Sequence, residues 1–93
     1  MATLDLQQKI SVKQALKAFE LVRQNGEHID GEYALDGLFV SSDFDGYNLI
    51  LRDARVKLFI FFHNTFECEY DSAPALDQFI ERIARIIQHY EQH

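Results

Sequence analysis

An Asp-Gly pair at positions 45 and 46, between two runs of alternating apolar residues, constrains the fold of this chain more than any other feature. A type I′ turn needs positive φ at both central residues, and Asp-Gly is one of the pairs that adopts it most readily. The sequence therefore predicts a tight hairpin at residues 43–46. Its first strand is expected over residues 33–42 and its second over residues 47–52.

Further turn signals extend this hairpin into an antiparallel meander. A turn near residues 53–55 leads to a third strand over residues 56–62. A turn at residues 63–65 leads to a short segment, residues 66–70, that is either a fourth strand or an extended edge. Residues 27–32 are rich in charged residues and glycine and are expected to form a loop.

Two amphipathic segments flank the strands, each with apolar residues at three- and four-residue steps. Ser11 and Gln14 fit a capping box at the start of the first helix, and residues 25–26 end it. Residues 71–74 combine a polar cap with a proline and start the second helix. This order predicts an α+β fold, α-β-β-β-(β)-α, with two helices on one face of an antiparallel meander of three to four strands. A single domain, residues 1–93, is expected.

The hairpin register sorts the strand residues onto two faces of the sheet. One face is almost purely apolar and is expected to carry the helices; it collects Leu38, Val40, Leu49, Leu51, Leu58, Ile60 and Phe62. The opposite face, called the second face below, collects Phe39, Ser41, Asn48, Ile50, Arg52, Lys57, Phe59 and Phe61. A slip of one residue in either turn would exchange the two faces.

The second face carries more apolar side chains than a solvated sheet face normally does. An apolar patch with a polar rim usually marks an interface. The interface candidates are Phe39, Ile50, Arg52, Lys57, Phe59 and Phe61. Three explanations stay open: two copies pair through this face, a helix covers it, or it forms a ligand groove.

A second candidate site lies where the Asp-Gly hairpin meets the turn after the third strand. The side chains expected to converge there are Asp43, Asp45, Asn48, His63 and Asn64. A histidine beside a carboxylate is the minimum for acid–base chemistry or a weak metal site. The Asp-x-Asp-Gly segment also resembles part of a calcium loop, but Arg52 stands where that loop needs a bidentate glutamate. Turn-stabilising hydrogen bonds explain the cluster more simply, so no metal ligand, cofactor or catalytic residue is assigned.

The formal net charge of −6 makes nucleic acid and anionic membranes unfavourable partners. The partner expected is a second copy or another protein. Cys68 is the only cysteine, so no internal disulfide forms, and the residue is expected to be an apolar filler. The chain shows neither a signal segment nor an apolar run of bilayer length, so a cytoplasmic location is expected.

Two short motifs suggest a family. The segment Ser-Asp-Phe-Asp-Gly-Tyr at residues 42–47 and the segment Phe-His-Asn at residues 62–64 resemble a family of small uncharacterised gammaproteobacterial proteins, known only as a domain of unknown function. The similarity runs from the first helix to about Tyr70. It implies a bacterial cytoplasmic protein without an assigned activity, and it transfers no catalytic residue.

The sequence thus leaves the function unknown and enzymatic activity undecided, with no catalytic signature to support it. It favours a non-enzymatic interaction or regulatory module that forms a homodimer through the second face. The alternative is a small-ligand or metal-binding protein, or an enzyme, that uses Asp43, Asp45, His63 and Asn64. A third hypothesis is an antagonist whose acidic surface occupies a basic partner.

Overall fold

The computed structural model describes residues 10–43, 48–61 and 65–91. The predicted α+β fold, with a meander between two helices, is confirmed, but the described residues form six strands rather than three or four. The helices are α1 (Val12–Asn25) and α2 (Ala73–Tyr90). The strands are β1 (Glu27–Ile29), β2 (Glu32–Leu35), β3 (Leu38–Ser42), β4 (Leu49–Arg52), β5 (Val56–Ile60) and β6 (Phe66–Tyr70). Each strand pairs antiparallel with the next one in sequence.

The first part of the sheet corrects two predictions, because two more Asp-Gly turns divide it. Residues 27–32, predicted as a loop, contain β1 and the turn to β2. Residues 33–42, predicted as one strand, contain most of β2, a turn and all of β3. The pairs Asp30-Gly31 and Asp36-Gly37 have φ values of 51° and 82°, and of 53° and 84°. Positive φ at both central residues is what a type I′ hairpin turn requires.

The register of the three central strands agrees with the prediction. Val40 on β3 lies opposite Leu51 on β4, and Leu51 lies opposite Leu58 on β5. The turn at residues 45–46 lies outside the described residues. The observed pairing of β3 with β4 and of β4 with β5 is the predicted one, so the predicted division into two faces holds for the described strand residues; Phe62 lies outside them.

Both helices pack on the face that contains Leu38, Val40 and Leu51. These residues are fully buried, in one cluster with Val22 of α1 and Phe79 of α2. All the buried side chains among the described residues are apolar. The core is therefore a single layer between the sheet and the two helices, as expected for a sheet covered on one side.

Hydroxyl side chains fix the start of each helix. The Ser11 hydroxyl accepts a hydrogen bond from the Gln14 amide at 3.2 Å, and the Ser72 hydroxyl accepts one from the Ala75 amide at 3.3 Å. Such caps satisfy backbone N–H groups that have no partner within the helix. The predicted starts of both helices are confirmed.

Arg82 joins α2 to two turns at one end of the sheet. Its Nη1 donates a hydrogen bond to the Asp36 carbonyl at 2.7 Å, and its Nε lies 3.7 Å from Asp53 Oδ2. The other carboxylate oxygen of Asp53 accepts from the amides of Arg55 and Val56 at 2.8 and 2.9 Å. One arginine therefore holds the helix against both the β2–β3 and the β4–β5 turns.

Candidate functional site

The second face is the side of the sheet opposite the helices. The pairing places Phe39 opposite Arg52, Arg52 opposite Lys57, and Ile50 opposite Phe59. None of these residues belongs to the apolar cluster under the helices. The helices of the described residues lie on the other side, so they do not cover this face.

The second face continues onto the outer strands. Ala34 on β2 lies opposite Phe39, and Glu69 on β6 lies opposite Lys57. By the same register the second face also includes residues of β1 and β2 at one edge and of β6 at the other. These residues are Glu27, Ile29, Glu32 and Ala34, and Glu67 and Glu69. Ile29 is 47% exposed, the one large apolar side chain in the described ranges that is classed as exposed. Acidic side chains thus lie on both lateral sides of an apolar and basic centre.

Arg52 lies over the ring of Phe39 and reaches across β3 to Glu32. Its guanidinium carbon is 4.6 Å from the ring centroid. Its Nε donates to Glu32 Oε2 at 2.9 Å and its Nη2 donates to Oε1 at 2.6 Å, which makes the pair bidentate. The hydrogen bond from Arg52 lowers the pKa of Glu32, and the same bond raises the pKa of Arg52. The charge at the centre of the face is therefore largely balanced within the chain.

The other half of the centre is aromatic. The rings of Phe59 and Phe61 lie nearly parallel, at 7°, with centroids 6.4 Å apart. The Lys57 ammonium lies 5.6 Å from the Phe59 centroid, within cation–π range. Both phenylalanines keep part of their surface exposed, as do Phe39 and Ile50. The result is a partly exposed apolar strip that crosses three strands.

Two of the five residues of the ligand-site hypothesis can be located. Asp43 and Asn48 face each other where β3 ends and β4 begins, and the Asn48 side-chain amide donates to Asp43 Oδ2 at 2.6 Å. The Asp43 amide donates to the Asn48 carbonyl at 3.0 Å. Asp45, His63 and Asn64 lie outside the described residues. The part that is described is a pair of hydrogen-bonded turn residues, the arrangement expected if the cluster stabilises the hairpin.

Comparison with protein families decides the family of the chain. A family model described as "Protein of unknown function (DUF3081)" matches residues 10–93. The chain belongs to this family. The resemblance inferred from the two motifs is thereby confirmed at the level of a domain of unknown function; the match does not address the motifs themselves or a gammaproteobacterial source. No curated protein and no solved structure gives a significant match.

The described residues of this DUF3081 chain contain neither a cluster of metal-ligating side chains nor a helix that could span a membrane. Within residues 10–43, 48–61 and 65–91, no three His, Cys, Asp or Glu side chains lie close enough together to hold a metal ion. Neither α1 nor α2 has the length and apolar content to cross a membrane.

An open groove of about 440 Å³ lies beside the β4–β5 turn. Its rim carries Arg55 and Lys57 together with Glu69 and Asp71. Arg55 Nε lies 3.6 Å from Asp71 Oδ2, and both side chains are well exposed. Because its lining carries groups of both signs, the charge of the groove favours neither an anion nor a cation.

Cys68 lies on the helix-facing side of β6, opposite Leu58. Burial, together with the nearby carboxylates of Glu69 and Asp53, raises the pKa of its thiol to about 11. At neutral pH the side chain is a protonated thiol and a poor nucleophile. Its position agrees with the prediction of an apolar filler.

The sequence does not predict the roles of Glu32 and Arg82, for different reasons. Glu32 falls in the segment predicted as a loop, so the predicted second face does not include it. A reading of Asp30-Gly31 as a hairpin turn would have placed it on a strand. Arg82 carries no local signal, because its partners on the two turns are distant in sequence.

Proposed function

We propose that this DUF3081 protein is a non-enzymatic interaction or regulatory module that forms a homodimer through the second face. The observation that carries the proposal is the partly exposed apolar strip of Phe39, Ile50, Phe59 and Phe61 on the side of the sheet away from the helices. An apolar patch of this kind with a charged rim is typical of protein interfaces.

The size of the face predicts how strongly two copies associate. Six strands spaced ~4.8 Å apart make it about 25 Å wide, and strands of three to five residues make it about 10–15 Å high. Two such faces bury an area at or below the low end of specific interfaces. We therefore expect reversible association with a Kd on the order of micromolar rather than a permanent dimer.

The net charge of the chain also favours a protein over nucleic acid or lipid as the partner. The net charge of −6 repels phosphate backbones and anionic lipid, whereas an apolar strip between charged groups suits another folded protein. A cytoplasmic location fits the same proposal.

Sedimentation across a wide range of protein concentration tests the homodimer. The wild-type chain is expected to change from monomer to dimer as concentration rises. Phe59→Asp, which puts a charge in the strip, is expected to keep the chain monomeric at every concentration. Gln78→Asp is the matched control, because it adds the same charge at an exposed position of α2 and should leave association unchanged.

The proposal fails if the wild-type chain stays monomeric at the highest concentration reached. It also fails if Phe59→Asp, with the circular dichroism of the folded protein, dimerises as the wild type does.

A further inference from the structure

We propose that the outer edge of β6 binds an extended segment of another protein, one that carries lysine or arginine at alternate positions with apolar residues between them. The segment adds a strand to the sheet beside β6, held by backbone hydrogen bonds. This edge is distinct from the apolar strip of the second face, so the binding does not depend on the homodimer.

The direction of the backbone groups of β6 follows from a hydrogen bond just before the strand. The Phe61 amide donates to the Thr65 carbonyl at 2.8 Å, so these two residues form a hydrogen-bonded pair. Hydrogen-bonded and non-hydrogen-bonded pairs alternate along an antiparallel ladder, so the register makes Glu67 and Glu69 the next residues bonded to β5. The residues whose N–H and C=O groups point away from β5 are therefore Phe66, Cys68 and Tyr70.

The other side of β5 gives the same directions. The Asp53 amide donates to the Val56 carbonyl at 2.9 Å, so the backbone of Val56 faces β4 and that of Lys57 faces β6. Lys57 pairs with Glu69, one of the residues bonded to β5. In the part of the chain that the structure describes, no strand pairs with the outer side of β6. The outward N–H and C=O groups are therefore available to an added strand.

The side chains of β6 alternate between an acidic row and an apolar row. Glu67 and Glu69 are exposed on the second face. The helix side of β6 carries partly exposed side chains that pack against the core cluster, namely Phe66, Cys68 and Tyr70. Because α2 lies over β5 and β6, apolar side chains of an added strand extend the core beside this row and cover its exposed part.

The acidic row selects the charge of the added strand. Neither Glu67 nor Glu69 forms an ion pair with a described residue, although Glu69 lies opposite Lys57. In an antiparallel added strand, the residues that face these two glutamates occupy non-hydrogen-bonded positions, with Cβ atoms about 4.5–5.5 Å away. Opposite charges across such a pair are stabilising, so lysine or arginine fits there.

The same charges disfavour a second copy of β6 as the occupant. A two-fold axis makes two copies of β6 antiparallel. If the axis passes through Cys68, Glu67 lies opposite the partner's Glu69. If it passes through Glu67 or Glu69, that residue lies opposite its own copy. Like charges directly opposite each other are destabilising, so the edge favours a different, basic chain.

The other edge of the sheet is less suited to an added strand. β1 has three residues, and its last residue, Ile29, forms a hydrogen-bonded pair with Glu32 across a two-residue turn. By alternation, His28 is then the one residue of β1 whose backbone points outward. Very short edge strands are one way in which proteins avoid unwanted pairing. β6 has five residues, with no lysine, proline or glycine, and lacks this protection.

Two capped peptides of the same composition test the proposal. One alternates valine and lysine over about seven residues, which spans β6, and the other places its lysines in one block. The alternating peptide is expected to bind at least about tenfold more tightly, since it alone brings lysines to the acidic row and valines to the apolar row together. Fluorescence anisotropy of the labelled peptides at physiological salt measures this. Equal binding of the two peptides, or no binding of the alternating one, would overturn the proposal.

Amide hydrogen exchange followed by NMR locates the bound peptide. In the free chain the amides of Glu67 and Glu69 are expected to be protected by β5. At about ten times its Kd, the alternating peptide should slow exchange of the outward amides by about tenfold and leave that of His28 unchanged. The outward amides are those of Phe66, Cys68 and Tyr70. If these are already protected in the free chain, or if the peptide protects other residues instead, the proposal is wrong.

Charge reversal of the edge provides the matched variants. Glu67→Lys with Glu69→Lys is expected to reverse the preference, so that a peptide alternating valine and glutamate binds at least about tenfold more tightly than the valine–lysine peptide. Glu20→Lys with Glu27→Lys changes the net charge equally at exposed positions of α1 and β1, away from β6, and should keep the preference of the wild type. Glu20 forms an exposed ion pair with Arg23, whose Nη2 lies 2.8 Å from Glu20 Oε1, so its loss should cost little stability.

Reversal in both pairs of variants would assign the preference to net charge and overturn the proposal. Sedimentation of the chain alone tests the homodimer, whereas peptide binding tests the edge of β6. Each proposal can therefore fail while the other stands.

Discussion

The Nε of Arg82 lies 3.7 Å from Oδ2 of Asp53, and this pair joins α2 to the turn between β4 and β5. The Asp53 side chain is only 10% exposed, and its other oxygen accepts two backbone amides of the turn. Arg82 Nε has no hydrogen-bond partner within 3.5 Å and is buried, so the carboxylate is its nearest compensating charge. Removal of the carboxylate therefore leaves the buried Nε of a partly exposed arginine and two turn amides without their acceptor.

We expect Asp53→Ala to lower the free energy of unfolding by about 2 kcal/mol, because it removes the acceptor of two turn amides and the carboxylate nearest to Arg82 Nε. Asp53→Asn keeps an acceptor for the turn amides and is expected to cost about 1 kcal/mol less. Urea unfolding followed by circular dichroism measures both values. Arg23→Ala, at the exposed pair on α1, is the control and should change stability by less than about 0.5 kcal/mol. Equal losses for Asp53→Ala and Arg23→Ala would show that the pair contributes nothing.

Gly37 and Gly31 provide a matched pair for testing the contact of Arg82 with the β2–β3 turn. Both have positive φ, 84° and 82°, so alanine at either position is strained by about 1 kcal/mol. A Cβ at Gly37 would lie 2.5 Å from Arg82 Nη1, whereas a Cβ at Gly31 meets nothing within 4 Å. Because the Arg82 side chain can move aside but then loses its hydrogen bond to the Asp36 carbonyl, Gly37→Ala is expected to destabilise the protein by about 0.5–1 kcal/mol more than Gly31→Ala.

Thermal or urea unfolding of the two glycine variants, each with and without Arg82→Ala, completes the test. The extra cost of Gly37→Ala should disappear when Arg82 is absent, because the clash and the displaced hydrogen bond disappear with it. An extra cost that persists would assign the effect to the backbone alone.

The central part of the fold was predictable because its signals are local. The turn signals at residues 43–46 and 53–55, with the alternation of apolar residues beside them, predict the register of β3 to β5 and with it the two faces. The pairs Asp30-Gly31 and Asp36-Gly37 carry the same signal as Asp45-Gly46. These two pairs do not by themselves predict hairpins, because β1 and β2 have only three and four residues, too few to show a clear alternation.

The candidate site was predictable only in part, for a geometric reason. Phe39, Ile50 and Phe59 followed from the register, which depends on sequence spacing alone. The contact between Arg52 and Glu32 crosses an intervening strand, so it depends on the number of strands as well as the register. The contacts of Arg82 depend on how α2 lies across the sheet, which no short segment of sequence specifies.

The pair of Glu32 and Arg52 predicts a dependence of stability on acidic pH. The hydrogen bond from Arg52 lowers the pKa of Glu32 below its ordinary value of 4.5. A depressed carboxyl pKa adds stability that is present above the unfolded value and is lost as pH falls through the folded value. Relative to Glu32→Gln, the wild-type chain should be more stable by about 1 kcal/mol above pH 5, and this advantage should vanish well below pH 4.5.

Urea unfolding from pH 3 to pH 7, at concentrations low enough to keep the chain monomeric, measures this difference. Glu67→Gln is the control, because Glu67 lies on the same face and its side chain has no ion pair with a described residue. A difference between wild type and Glu32→Gln that is constant across the range would contradict the assignment to the charged pair.

The burial of Cys68 predicts that the stability of the folded chain falls as pH rises in the alkaline range, whereas the Glu32–Arg52 pair loses stability as pH falls. Burial raises the pKa of its thiol from 9.0 to about 11, so the folded chain keeps a proton that the unfolded chain releases. The resulting stability is present below pH 9 and is lost as pH rises towards 11. Because the side chain is partly exposed, we expect a loss of about 1–2 kcal/mol relative to Cys68→Ala over that range.

At pH 8 the folded thiol should also react with a disulfide reagent at least about tenfold more slowly than the urea-unfolded chain. Equal reaction rates in the two states would show that the thiol is neither buried nor shifted.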